Sequence, residues 1–200
     1  MVREKLSLYG GRPCLDFVNS VDPRDPPGGK GFLPDYAALL AWCGRIGLLE
    51  RDELERLGAL ARSQPSAAAE AYRRAIELRE LLYPVLRASA EGLEPPEPLA
   101  RRFSRRAAAF ERSRQLTWED GWRWEATPDR PLDLPAHVLL ADALDLVTSS
   151  VPIRKCAGDR CGWLFVDTSK NHSRRWCSMA GCGNRAKGRR HYSRRREAER

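Results

Sequence analysis

Cys156-Ala-Gly-Asp-Arg-Cys161 and Cys177-Ser-Met-Ala-Gly-Cys182 are two cysteine pairs, each with four residues inside it, and fifteen residues separate them. Two short loops that each offer two sulfurs suit a tetrahedral ion without geometric preferences of its own. The expected ion is therefore a single structural Zn2+, held by Cys156, Cys161, Cys177 and Cys182. Four protein ligands close the coordination shell, so such a metal orders the fold and leaves no position for a substrate. Reduced core thiols or disulfides are the competing assignment. The small and polar residues inside the loops, Gly158, Asp159 and Gly181, favour the metal.

Around this nucleus the reading is a small zinc module. Val151–Lys155 and Trp163–Asp167 have strand composition. Thr168–Ser173 reads as a turn, and Arg174–Cys177 as a returning strand. A helix should follow near Gly183, giving a treble-clef-like finger. Its apolar residues are few (Trp163, Phe165, Trp176, Ala186), so metal binding should supply most of its folding free energy, on the order of 10 kcal/mol. The terminal helix, Asn184 to Arg196, has no apolar stripe and is polar all round, which points to a polar partner or a solvated tail.

Charge sharpens that choice. The chain of 200 residues carries +8 overall. Val151–Arg200 holds 14 Lys and Arg against 4 Asp and Glu, a balance of +10, whereas the first 150 residues hold 21 against 23, or −2. The positive charge belongs to the tail, which suggests a polyanion for a partner. Asn184, Arg185, Lys187, Arg189, Arg190, Arg194 and Arg195 are the candidate nucleic-acid contacts. DNA in the major groove is the first expectation; RNA is the second.

The rest of the chain reads as mostly helical. Leu6–Tyr9 is a candidate strand, and a short helix starts near Pro13. Arg12, Asp16 and Asn19 beside it are candidate ligand contacts, with caps and loop anchors as the alternative use. Asp22–Gly31 is a loop by its prolines and glycines. Helices follow at Pro34–Gly47, Arg51–Ser63 and Ala67–Ala90, the last capped by Ser66. A basic helix at Leu99–Arg112 carries Arg101, Arg102, Arg105 and Arg106, a phosphate site or a solvated face. Gln115–Glu125 is a hairpin around Asp120-Gly121. A two-residue turn there puts Trp118 on the face opposite Trp122 and Trp124, with core packing as their expected role. Asp133–Ser150 should be a buried helix. Cys14 and Cys43 lie outside the paired array and read as buried thiols.

No apolar stretch is long enough to span a bilayer, and the start has no apolar run of signal-peptide length; a cytoplasmic protein is expected. No Ser-His-Asp pattern, Gly-rich phosphate loop or second metal site with a positioned His base is evident, so the chain is not expected to be an enzyme.

Cys182-Gly183-Asn184-Arg185 ahead of a basic helix, after two such Cys pairs, resembles the CGNR zinc finger. Gly10-Gly-Arg-Pro-Cys-Leu-Asp-Phe-Val-Asn-Ser20 is similar to the opening of the ABATE domain that precedes it. The resemblance covers essentially the whole chain. It implies a bacterial stress-response transcription regulator, with an N-terminal domain (1–150) that senses a small effector and a DNA-binding finger (151–200). It implies the same four zinc ligands and makes Asn184 and Arg185 signature residues. The expected fold is thus α+β, mostly helical, with a helical N-terminal domain, a small β-hairpin and a treble-clef-like finger. A zinc-ordered protein-interaction module is the remaining alternative, and a homodimer is compatible with all of these.

Overall fold

The computed structural model, which describes residues 8–198, contains helices of 6 to 27 residues and three antiparallel strand pairs of two to five residues per strand. The fold is α+β and mostly helical. The described residues group into two compact units that interleave along the sequence.

One unit comprises Leu33–Val85 and Glu94–Ser150. Its helices are α2 (Tyr36–Arg45), α3 (Arg51–Ser63), most of α4 (Pro65–Glu91), α5 (Glu97–Arg112) and α6 (Leu134–Thr148). Asp35 caps α2 by accepting from the Ala38 amide at 2.7 Å. Glu50 and Glu53 form a reciprocal capping box at the start of α3. α4 begins at Pro65 rather than at Ala67. A proline at the first position lacks the amide that a cap would satisfy, so Ser66 lies inside the first turn and is not the cap. The core is Leu39, Leu57, Ala75, Leu78, Leu82, Leu139, Leu140 and Leu146. Tyr36 and Tyr72 carry their hydroxyls to the carbonyls of Leu132 and Leu33, at 2.8 and 2.6 Å. Arg74 bridges α4 to Asp133 through two nitrogens, at 2.7 and 3.0 Å. Cys43 is a buried thiol whose pKa burial pushes up to about 12, so it is inert at neutral pH.

The hairpin of this unit, β3 (Arg114–Trp118) with β4 (Trp122–Ala126), departs from the expected register. Trp118 pairs with Trp122 and Leu116 with Trp124, so the loop holds Glu119, Asp120 and Gly121. Asp120 at φ 53° and Gly121 at φ 141° take the left-handed region that such a loop needs. The extra loop residue flips Trp118, and all three tryptophans share one face. They are also not core residues: Trp118, Trp122 and Trp124 are 67%, 67% and 58% exposed.

The second unit comprises the described part of Met1–Phe32, then Leu86–Leu93 and Val151–Arg200. It contains α1 (Pro13–Val18), a two-residue ladder of β1 (Val21–Asp22) with β2 (Lys30–Gly31), the hairpin β5 (Ile153–Lys155) with β6 (Leu164–Val166), and α7 (Asn184–Ala198). The ladder closes the loop 22–31 at its ends, which its prolines and glycines had hidden. Leu8 and Tyr9 are not strand, and the rest of the expected strand at Leu6–Tyr9 lies outside the described residues. Arg174–Cys177 does not return as a strand either. Arg174 instead folds over Phe165, 4.2 Å from the ring centre, and donates to the carbonyls of Tyr9, Trp176 and Cys177. Its hydrogen bonds replace a ladder.

The finger has more core than residues 151–200 supply by themselves. Trp163 and Phe165 are 1% and 0% exposed, and Tyr9 and Phe32 pack on them together with Trp176. Asn19, fully buried, accepts from the Leu164 amide at 2.9 Å and donates to the Leu164 carbonyl at 2.7 Å. The Trp163 indole donates to the Val21 carbonyl at 2.8 Å, and the Arg24 amide to the Cys161 carbonyl at 2.8 Å. To the expectation that metal supplies most of the folding free energy of the finger, the structure adds apolar burial and backbone pairing from residues 9–32.

Candidate metal centre and nucleic-acid interface

The four cysteines converge because two different turns aim them at one point. The first pair lies across the β5–β6 hairpin, where the Cys156 amide donates to the Trp163 carbonyl at 2.8 Å. Arg160 and Gly162, both at positive φ, bend the chain back so that Cys161 faces Cys156. The second pair is closed by a wide π-type turn, Met179–Gly183, which Ser178 caps by accepting from the Gly181 amide. The Ala157 amide donates to the Arg175 carbonyl and ties the two loops together.

All four sulfurs lie within 4.8 Å of one another and are buried. Cys161 and Cys177 approach to 3.8 Å, and Cys177 and Cys182 to 3.6 Å. Tetrahedral zinc with Zn–S bonds of about 2.3 Å needs sulfurs about 3.8 Å apart, and a disulfide needs about 2 Å. The spacing fits the metal and excludes disulfides. Thiols of Cys156, Cys161 and Cys177 turned toward it, with Arg185 nearby, hold Cys182 far below an ordinary thiol, whereas Cys177 is forced up by its three neighbours. Four thiolates in so small a space repel unless a divalent cation sits among them.

The surroundings complete the site. The Gly158 and Cys177 amides donate to Cys156 Sγ, at 3.4 and 3.3 Å. A Cβ on Gly158 would stand 2.9 Å from Cys182 Sγ, so a side chain there intrudes on the metal shell. The Arg185 guanidinium donates to Cys182 Sγ at 3.0 Å. Such outer partners orient ligands and tune their charge.

The seven candidate nucleic-acid contacts separate by role. Arg185 braces a ligand sulfur, and Arg189 forms an ion pair with Asp159 of the first Cys loop at 2.9 Å. These two lie on the same face of α7. Lys187 and Arg190 project from the opposite face, exposed, with no hydrogen-bond or ion-pair partner among the described residues. The position of Arg194 falls on that face too; its side chain lies outside the described ones. Arg195 and Tyr192 are exposed. Asn184, also exposed, reaches the Ala180 carbonyl at 3.5 Å and helps close the turn.

Two of the three candidate ligand contacts are engaged within the fold. Asp16 accepts from the Gly10 amide at 2.8 Å, and Asn19 is spent on Leu164. Arg12 precedes α1 as its cap residue without a side-chain cap bond. Through Asn19 the N-terminal segment is braced against β6. The helical unit holds an apolar groove of about 970 Å3 lined by Tyr36, Leu40, Gly44, Leu54, Ala68 and Tyr72 among others. The apolar periodicity that marks these helices in the sequence does not tell a packed face from an open one.

Comparison with known proteins agrees with this architecture. The ABATE family model, described as putative stress-induced transcription regulator, matches residues 11–150. The CGNR zinc finger model matches residues 153–195. No curated protein sequence matches the chain. Among the described residues no helix is long and apolar enough to cross a membrane.

Proposed function

Because the chain belongs to the ABATE family and carries a CGNR zinc finger, we propose that it is a cytoplasmic DNA-binding transcription regulator and a binding protein rather than an enzyme. The observation that carries the reading is the division of α7. One face is anchored to the metal centre by Arg185 and Arg189, which leaves Lys187, Arg190 and position 194 to meet phosphates. Fifteen residues make a helix about 22 Å long, and a major groove about 12 Å wide admits it. Zinc, when bound, fixes the start of this helix through Cys182. The helical unit is proposed to sense a small, largely apolar effector in its groove, whose volume is that of a typical ligand site.

The test is titration of zinc-loaded protein into random-sequence duplex DNA at 50 and 200 mM salt, with a chelator-treated sample alongside. Binding should fall by about one unit of log–log slope per phosphate contact and vanish with the metal. Salt-insensitive binding, or none, would remove the reading and leave a protein-interaction module. Exposed Tyr192 on the same helix favours a second reading, stacking on an unpaired RNA base. Stronger competition by RNA than by duplex DNA would select it.

A further inference from the structure

A two-stranded hairpin is marginal in water unless something covers its apolar face. The β3–β4 hairpin leaves that face bare. Leu116, Trp118, Trp122 and Trp124 project from it, 48%, 67%, 67% and 58% exposed. Trp118 and Trp122 meet edge to face with ring centres 5.4 Å apart, so the indoles are already held against each other. Surface tryptophans of ordinary monomers occur singly; a contiguous aromatic face marks a binding surface.

We propose that this face is the interface of a homodimer, in which two copies of the hairpin pack aromatic face against aromatic face about a two-fold axis. Charge separates this occupant from a nucleic acid. A stacking platform for bases needs cations to follow the backbone. The one cation on the face, Arg114, is paired with Glu111 at 3.1 Å and lies over Trp124, 4.6 Å from the ring centre. Across the hairpin Arg114 and Arg123 stand against Glu119, Asp120 and Glu125, a balance of −1. The surface is therefore apolar, its one charge is paired, and its hairpin lacks the excess cations of a chain of +8, so two copies meet there with little repulsion. An isologous contact needs a patch that complements itself, which a flat row of indoles does. The area is adequate. Three half-exposed tryptophans and a leucine offer roughly 500 Å2 per copy, so a pair buries on the order of 1,000 Å2, the lower bound for a specific interface. The dimer should therefore be reversible, with Kd on the order of 10 μM.

The test is sedimentation equilibrium of the zinc-loaded full chain from 1 to 200 μM, without DNA, so that its outcome is independent of the proposed regulator role. Wild type should show a monomer–dimer equilibrium, and the W118S/W122S variant should associate at least tenfold more weakly. Both side chains are exposed, so the variant should keep its zinc content and circular dichroism, and Glu125→Gln on the other face should dimerise as wild type does. Tryptophan emission should shift to the red as wild type is diluted through its Kd. A wild type that stays monomeric at 200 μM would overturn the proposal. So would equal dimerisation of the W118S/W122S variant, or quenching of the emission by single-stranded oligonucleotide in a chain that remains monomeric.

Discussion

Asn19→Ala is the substitution that most directly probes how residues far apart in sequence build the finger. Asn19 is fully buried and spends its amide on one residue, accepting from the Leu164 amide and donating to the Leu164 carbonyl. Alanine leaves both backbone groups buried without a partner. Each costs about 1–3 kcal/mol, so the loss should be roughly 4 kcal/mol. For a chain of this size about 1 kcal/mol moves Tm by about 2–4 °C, which gives a drop of roughly 10 °C. The metal should feel it as well. Leu164 pairs with Lys155, the residue before Cys156, so a loosened β6 loosens the first ligand loop. The assays are thermal unfolding of the zinc-loaded protein and the rate of zinc transfer to a chromogenic chelator. Asn184→Ala is the control, because that exposed side chain makes one long contact, at 3.5 Å. A Tm within 2 °C of wild type and an unchanged zinc-transfer rate for Asn19→Ala would refute the claim that residues 9–32 are part of the finger.

Gly158→Ala places a Cβ against Cys182 Sγ and should accelerate zinc loss measured by chelator competition, without altering the helical unit's circular dichroism. Lys187→Ala and Arg190→Ala should each lower the log–log salt slope of DNA binding by about one and leave zinc content unchanged, whereas Arg185→Ala should weaken metal retention, read by the same titrations and by metal analysis. Burial, with the nearby Arg106 charge, lowers the His137 pKa, and its ring lies 2.6 Å from Ser113 Oγ. The unfolded chain then binds a proton that the folded one resists, so stability should fall as pH drops below the ordinary histidine value of about 6.5. His137→Gln should flatten that dependence in thermal melts recorded between pH 5 and 8.

The metal centre was legible because its chemistry is local. Four sulfurs at two equal spacings specify a closed tetrahedral shell whatever surrounds them, and the helices followed from periodicity in the same way. The basic tail was legible as charge, yet its division of labour was not. The fact that Arg185 and Arg189 face the metal depends on where the π-type turn launches α7. The tryptophans show the sharpest contrast. Composition marked a hairpin at Asp120-Gly121, but whether Glu119 belongs to the strand or the loop sets which face Trp118 occupies. Side chains alternate with period two, so one loop residue reverses the outcome. The N-terminal helix posed the same difficulty at longer range. Asp16 and Asn19 carry polar groups that local sequence cannot assign, since their partners differ: Gly10 lies six residues away and Leu164 145 residues away. The sequence by itself therefore determined the ligand set, the helical class and the site of positive charge, all properties of residue type and spacing. Only the tertiary structure decided that residues 9–32 complete the finger and that the aromatic face stays open, because both depend on which distant groups come into hydrogen-bonding and packing range.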